Sequence, residues 1–152
     1  MPKPSADHDR LGLLCGDWRG TETMHPSPWD PRGGTAEGHT RSRRALAGVA
    51  VLSDYQQRRG GVRTFEDHGV YTWDPAAREV VLHWFDGMGQ GREQFRGTWH
   101  GDQLVPTSHN PQGRMRLRCD CARPGVLVSG METSMDGRTW SKLFDGTYHR
   151  AP

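Results

Sequence analysis

Two histidines and a glutamate raise the first chemical question. His68 lies in "FEDHGVYTWDP", His83 in "VVLHWFDGMG" and Glu132 in "GMETSMDG". An imidazole titrates near neutral pH and serves as acid or base, and a carboxylate can orient it or accept from a ligand hydroxyl. These three are the candidate catalytic residues. Lys142 and Arg44 add cations that could meet a ligand carboxylate. Tyr55, Trp84, Phe95 and Phe144 add aromatic wall, and Trp29 adds a ring on a loop. A concave apolar surface with a few convergent polar groups is the usual form of a small-molecule pocket. The expected ligand is small and mostly apolar or aromatic. Acid–base chemistry on such a molecule, without a metal, is the alternative.

Other chemistries find little support. No H-x-H, H-E-x-x-H or C-x-x-C occurs, and Cys119-x-Cys121 reads as two small hydrophobes on one strand face, so no metal is expected. No G-x-S-x-G occurs. The glycines of "GMGQGRE" lack a preceding Rossmann-type unit and read as hairpin punctuation. "TSMDGRTW" is one residue short of an Asp-box and reads as a hairpin around Asp136-Gly137. The arginines of "RSRR" and Arg114, Arg116 and Arg118 read as solvated faces, and a net charge of +2 gives no reason to expect nucleic acid. No run approaches the ~20 apolar residues of a membrane span, and Gly48 interrupts "ALAGVAVL", so no membrane partner is expected. Three cysteines are an odd count, and the first residues lack an apolar leader. The expectation is a cytoplasmic protein with reduced thiols.

The elements that must position these residues repeat one rhythm. After a short helical turn near residues 5–14, apolar or alternating runs fall at 16–24, 36–46, 49–58, 62–73, 79–86, 92–100, 102–107, 114–121, 126–134 and 138–149. Gly, Pro, Asn and Asp clusters divide them. Short strands at this spacing form an antiparallel sandwich or barrel. A meander of ten strands leaves two edges unless it closes, which favours the barrel. Alternation assigns faces in several runs: Met115, Leu117, Cys119 and Cys121 oppose Arg114, Arg116, Arg118 and Asp120. In 62–73, Phe65, Asp67, Gly69, Tyr71 and Trp73 share a face opposite Glu66, His68, Val70 and Thr72. Both faces of 79–86 are apolar, so its inward face stays open. Trp18, between Gly16 and Gly20, is expected to close the barrel floor. Trp29, in the proline-rich loop "HPSPWDPRGG", is expected to overhang the mouth.

Taken together, "LCGDWRGTETMHPSPWDPRGGTAEG", "FEDHGVYTWDP", "VVLHWFDGMG", "RGTWHGDQL" and "TSMDGRTWSKLFDGTYHR" resemble the bacterial calycin-like proteins grouped as domain of unknown function 1579. The resemblance runs from about Leu11 to Arg150. It implies an all-β, lipocalin-like up-and-down barrel of about ten strands with a short N-terminal helix. One domain would span 1–152, with 1–10 the part freest to move. The G-x-W at Gly16 and Trp18 is similar to that of lipocalins, where the Trp packs across the closed end. Two positions depart from the family pattern: Asp67 stands where Gly-His is expected with His68, and His149 where Arg is expected before Arg150. Likeness at fold level to nitrobindin barrels adds a haem alternative, with His149 or His83 as axial ligand. A homodimer is a further expected arrangement.

Overall fold

A computed structural model describes Met1 and residues 3–152. Helix α1 (Ala6–Arg10) runs directly into a 3-10 turn (Leu11–Leu14). Twelve strands follow: β1 (Gly16–Met24), β2 (Gly34–Ala45), β3 (Ala50–Arg59), β4 (Val62–Asp74), β5 (Glu79–Asp86), β6 (Arg92–Gly97), β7 (Trp99–His100), β8 (Gln103–Leu104), β9 (Thr107–Asn110), β10 (Gly113–Asp120), β11 (Val126–Ser134) and β12 (Ser141–Arg150). Every pairing is antiparallel. Ten strands form a ring, in the order β1 to β6, β9 to β12, closed where β12 pairs with β1. The β7–β8 ribbon hangs from β10. This is the closed antiparallel barrel that the strand rhythm favours, in the lipocalin-like form that the family resemblance implies.

Most strand ends lie within two residues of the sequence runs. β12 starts three residues late, at Ser141, and the larger departure is the region after Gly97. Gly97 takes the chain so close to its neighbour that an added Cβ would sit 2.4 Å from the Val105 carbonyl oxygen. The run at 92–100 therefore breaks, and the ring continues in β9, which the sequence divides poorly.

The ring has two unlike ends. One, the floor, holds Leu11, Leu14, Trp18, Val51, Tyr71, Val80, Leu82, Leu104 and Leu127 in one buried cluster. Trp18 is 2 % exposed and its indole N–H donates to the Leu14 carbonyl at 3.0 Å. The Arg150 guanidinium lies over its ring, 4.7 Å from the centroid. The N-terminal segment thus stoppers the barrel, with Trp18 as the plug. Arg44 belongs to this end. It bonds the Asp9 carbonyl at 2.9 Å and tethers α1, far from any ligand-facing wall. At the other end, the mouth, five hairpins join β1–β2, β3–β4, β5–β6, β9–β10 and β11–β12. Among the described residues no helix is long and apolar enough to cross a membrane.

Candidate functional site

Alternation along β1 puts Trp18, Gly20, Glu22 and Met24 on the inner wall. Glu22 is fully buried halfway up the barrel. A carboxyl there needs donors, because an unpartnered one is costly to desolvate. Three side chains supply them. The Tyr55 hydroxyl donates to Oε1 at 2.7 Å, the Tyr148 hydroxyl donates to the same oxygen, and Gln57 Nε2 donates to Oε2 at 2.9 Å. Thr64 Oγ1 in turn donates to Gln57 Oε1 at 3.1 Å. Gly38 makes room, since a Cβ there would lie 2.2 Å from Glu22 Oε1. Burial, then the Glu22 charge, pushes both the Tyr55 and Tyr148 hydroxyls well above the ordinary phenol range, which keeps them as donors.

Above this cluster the inner wall turns aromatic and thioether-rich. Tyr55, Phe65, Trp84 and Phe95 form a chain of rings with centroids 6.2, 6.2 and 6.0 Å apart. The Phe65–Trp84 pair is stacked and the Trp84–Phe95 pair edge-to-face. Across the barrel, Met115 on β10, Met131 on β11 and Phe144 on β12 complete the wall. Phe65, Trp84, Met115, Met131 and Phe144 all face inward, yet each keeps partial exposure. The mouth half is therefore an open cup, not a packed core.

The cup is acidic. Asp67 on β4 lies opposite Asp86 on β5. Burial raises the Asp67 carboxyl to about 7; the nearby Trp84 indole N–H opposes the rise and the neighbouring Asp86 adds to it. Glu93 on β6 sits beside Trp84 in register and accepts from Asn110 at 3.4 Å. Ser108, facing inward on β9, is buried with an unpartnered hydroxyl.

The structure separates the residues that the sequence grouped. Tyr55, Trp84, Phe95 and Phe144 share the inner wall. His68, His83, Glu132 and Lys142 do not reach it: the first three sit one residue out of phase with the inward set, and Lys142, in phase with Phe144, is turned outward by the bulge between them. His68 faces outward and pairs with Asp54 at 2.7 Å. His83 faces outward from β5, its pKa lowered by burial and by Arg92 and Arg96. Glu132 is held by Arg116, which donates through Nε at 2.8 Å, and by Arg118. Lys142 is exposed at a bulge opposite Glu132 and lies 3.8 Å from Asp145. Trp29 rises from the mouth end but is 77 % exposed, so the ring does not lie over the cup. Histidine 149 is exposed and points outward like His83, so neither offers an imidazole to a haem within the barrel. All the inward strand positions lack histidine among the described residues.

Glu22, Gln57 and Tyr148 escaped the sequence grouping. The available signal was phase: each has the parity of an inward aromatic on its own strand, Glu22 that of Trp18, Gln57 that of Tyr55 and Tyr148 that of Phe144.

A second concavity lies on the flank of β2–β5. It measures about 480 Å3, with His39, Asp54, His68 and Phe85 among its walls, and it borders the cup, whose Tyr55, Asp67 and Asp86 also line it. Two imidazole–carboxylate pairs border it, Asp54–His68 and Asp17–His39, each at 2.7 Å.

The family described as "Protein of unknown function (DUF1579)" matches residues 3–150. The chain belongs to this family. Two solved structures share the fold. One is Rv2717c from M. tuberculosis, with a TM-score of 0.70 and 15% identity, covering 97% of this chain and 99% of that one. The other is the S-type phycobiliprotein lyase CPES from Guillardia theta, with a TM-score of 0.59 and 9% identity, covering 98% and 99%. At such identities the likeness is one of fold. A sequence comparison with curated proteins finds no match. Within this DUF1579 chain, the cup and the flank concavity are the two places where chemistry converges.

Proposed function

We propose that this DUF1579 chain binds a small, mostly aromatic molecule in the mouth of its barrel. One observation carries the reading: inward-facing Phe65, Trp84, Met115, Met131 and Phe144 stay partly open to solvent above a buried carboxyl. Apolar surface in a concave site is favourable to cover, at roughly 25 cal/mol per Å2. The polar groups narrow the ligand. Glu22, Asp67, Asp86 and Glu93 are acceptors, and the phenolic donors of Tyr55 and Tyr148 are already spent on Glu22. Such a wall suits an aromatic amine or phenol better than an aromatic carboxylate. Lys142 and Arg44, the cations that a carboxylate would need, stand elsewhere. The fold, shared with a phycobiliprotein lyase, is compatible with a bound aromatic molecule.

Native mass spectrometry of freshly purified protein tests the reading by seeking a co-purifying small molecule. A direct comparison uses tryptamine and indole-3-acetate, which share a ring and differ in charge. Tryptamine is expected to bind at least about tenfold more tightly and to perturb Trp84 emission. Equal affinity, or a response unchanged in Trp84→Phe, would overturn it.

A second reading rests on the flank concavity. His68, oriented by Asp54 through Nδ1, leaves Nε2 free beside Phe85 as a general base. Turnover of p-nitrophenyl acetate that falls about tenfold or more in both His68→Asn and Asp54→Asn would support it. Turnover unchanged in both would remove it.

A further inference from the structure

The mouth hairpins carry a feature that the cup does not use. Four of the five present a large apolar side chain to solvent: Trp29 (77 % exposed), Val62 (67 %), Met88 (67 %) and Met135 (84 %). They come from the β1–β2, β3–β4, β5–β6 and β11–β12 turns, so they stand around one rim, not in one patch. A single exposed hydrophobe is ordinary on a protein surface; what sets these apart is that four turn tips gather at one end of the barrel, whereas the floor turns between strands offer Leu46.

Charge gathers at the same end. With two strand residues counted on either side of each turn, the five mouth hairpins carry eight Lys or Arg against four Asp or Glu. The whole chain carries 20 against 18, so the remainder is net acidic. Two of the four mouth carboxylates, those that lie on the outer turns and not in the cup, are also engaged. Asp30 binds Arg59, and Asp136 accepts the Arg138 and Thr139 amides at 2.7 Å, which holds its carboxyl at about 2. Arg32, Arg58, Arg92 and Arg138 form no ion pair among the described residues.

We infer that the mouth rim docks the barrel, open end down, onto an anionic lipid bilayer. Separate apolar tips on separate turns suit a fluid interface, into which each enters on its own; a protein groove calls for one continuous face. Tryptophan and methionine tips insert at the headgroup boundary, and the arginines between them meet anionic headgroups. Two copies meeting mouth to mouth would instead bring two cationic rims together. The expectation of no membrane partner rested on the lack of a spanning run, and peripheral docking needs none. The inference stands whatever the cup holds.

The test is flotation of the whole chain with vesicles of phosphatidylcholine and phosphatidylserine at a 7:3 ratio (roughly the anionic content that gives a strong surface potential), against pure phosphatidylcholine. Binding to the mixed vesicles alone, weakened by salt, is expected, with a blue shift in emission that Trp29→Phe removes. The combined variant Trp29→Ser, Met88→Ser, Met135→Ser should bind about tenfold less, as should Arg58→Glu, Arg92→Glu, Arg138→Glu. Leu46→Ser, at the floor, should bind like the parent. Failure of the parent to float overturns the inference. So does a tip variant that binds as well as the parent, which would mark a polyanion site, or one that merely dissociates a dimer in the absence of flotation. Should the variants misfold, quenching of the parent's emission by brominated acyl chains decides the matter directly; no quenching overturns it.

Discussion

Gly38 and Glu22 show how single residues set the chemistry of the interior. Gly38 lies where a methyl group would meet Glu22 Oε1 at 2.2 Å and the Tyr148 ring at 2.6 Å. Gly38→Ala must therefore push the carboxyl off its donors, and about 1–3 kcal/mol of stability should be lost in a denaturant titration. Replacing the acceptor is worse. Glu22→Leu leaves the Tyr55 and Tyr148 hydroxyls without an acceptor and leaves the Gln57 amide only its longer bonds to Tyr55 and Met24, at a cost of roughly 3 kcal/mol or more. Adding Tyr55→Phe and Tyr148→Phe removes the orphaned donors, so part of the loss should return. If the triple variant is simply the sum of its parts, the three groups do not act as a unit. Asp67 gives the pH dependence. Its folded value near 7 lies above the ordinary 3.8, so between about pH 4 and 7 the unfolded chain has released a proton that the folded chain keeps. Stability from this group is complete below pH 4, falls as pH rises toward 7, and stays low beyond. Asp67→Asn should flatten that slope and gain roughly 2 kcal/mol at pH 8, a figure reduced for the partial exposure of the site. A variant whose stability parallels the parent from pH 4 to 8 would show that Asp67 ionises as it does in water.

At the scale of elements, the plug and the strands tell different stories about what a sequence reveals. Trp18 was legible because glycines flank it at a strand start, and its burial against the Leu11–Leu14 turn follows. Trp18→Ala should cost about 3–5 kcal/mol by opening a cavity and freeing the Leu14 carbonyl, read from the denaturant midpoint. A loss below about 1 kcal/mol would mean that the N-terminal turn does not need its plug. The strands were legible too, since Gly and Pro clusters mark nearly every turn. Facing was legible only in part. In β4 the row Phe65, Tyr71, Trp73 already fixes the inner face and sends His68 out, so His68 belongs to the outer face by phase. In β5 both rows are apolar, and only the pairing of Gly69 with Trp84 and Tyr71 with Leu82 decides that Val80, Leu82 and Trp84 point inward. Long-range register of this kind leaves no mark in a single strand. Nor does the meeting of Glu22, Tyr55 and Tyr148, which come from β1, β3 and β12.

At the scale of the whole molecule, the barrel is built as a firm half and a loose half. Nearly all the residues of the fully buried cluster lie from the Glu22 level downward, and the N-terminal turn seals that end. Toward the mouth the inner wall stays partly wet, and the hairpins that join the strands carry glycines with positive φ at 33, 34, 60, 61, 89, 91, 113 and 137. Apolar burial sets how much free energy a local opening costs, so the two ends of one strand should not open together. In native-state hydrogen exchange, amides of β1, β3, β5 and β12 near the floor are expected to exchange only through global unfolding. Amides of the same strands near Met24, Arg59, Asp86 and Ser141 should exchange through openings a few kcal/mol less costly. A cup that breathes while its floor holds can admit and release a molecule without unfolding the ring. Covering the cup with an aromatic amine should slow exchange at the mouth ends and leave the floor amides, already at the global limit, shifted only by the overall gain in stability. Protection that is uniform from floor to mouth would show the barrel opening as one unit, and the route to the cup would then have to pass between fixed hairpins.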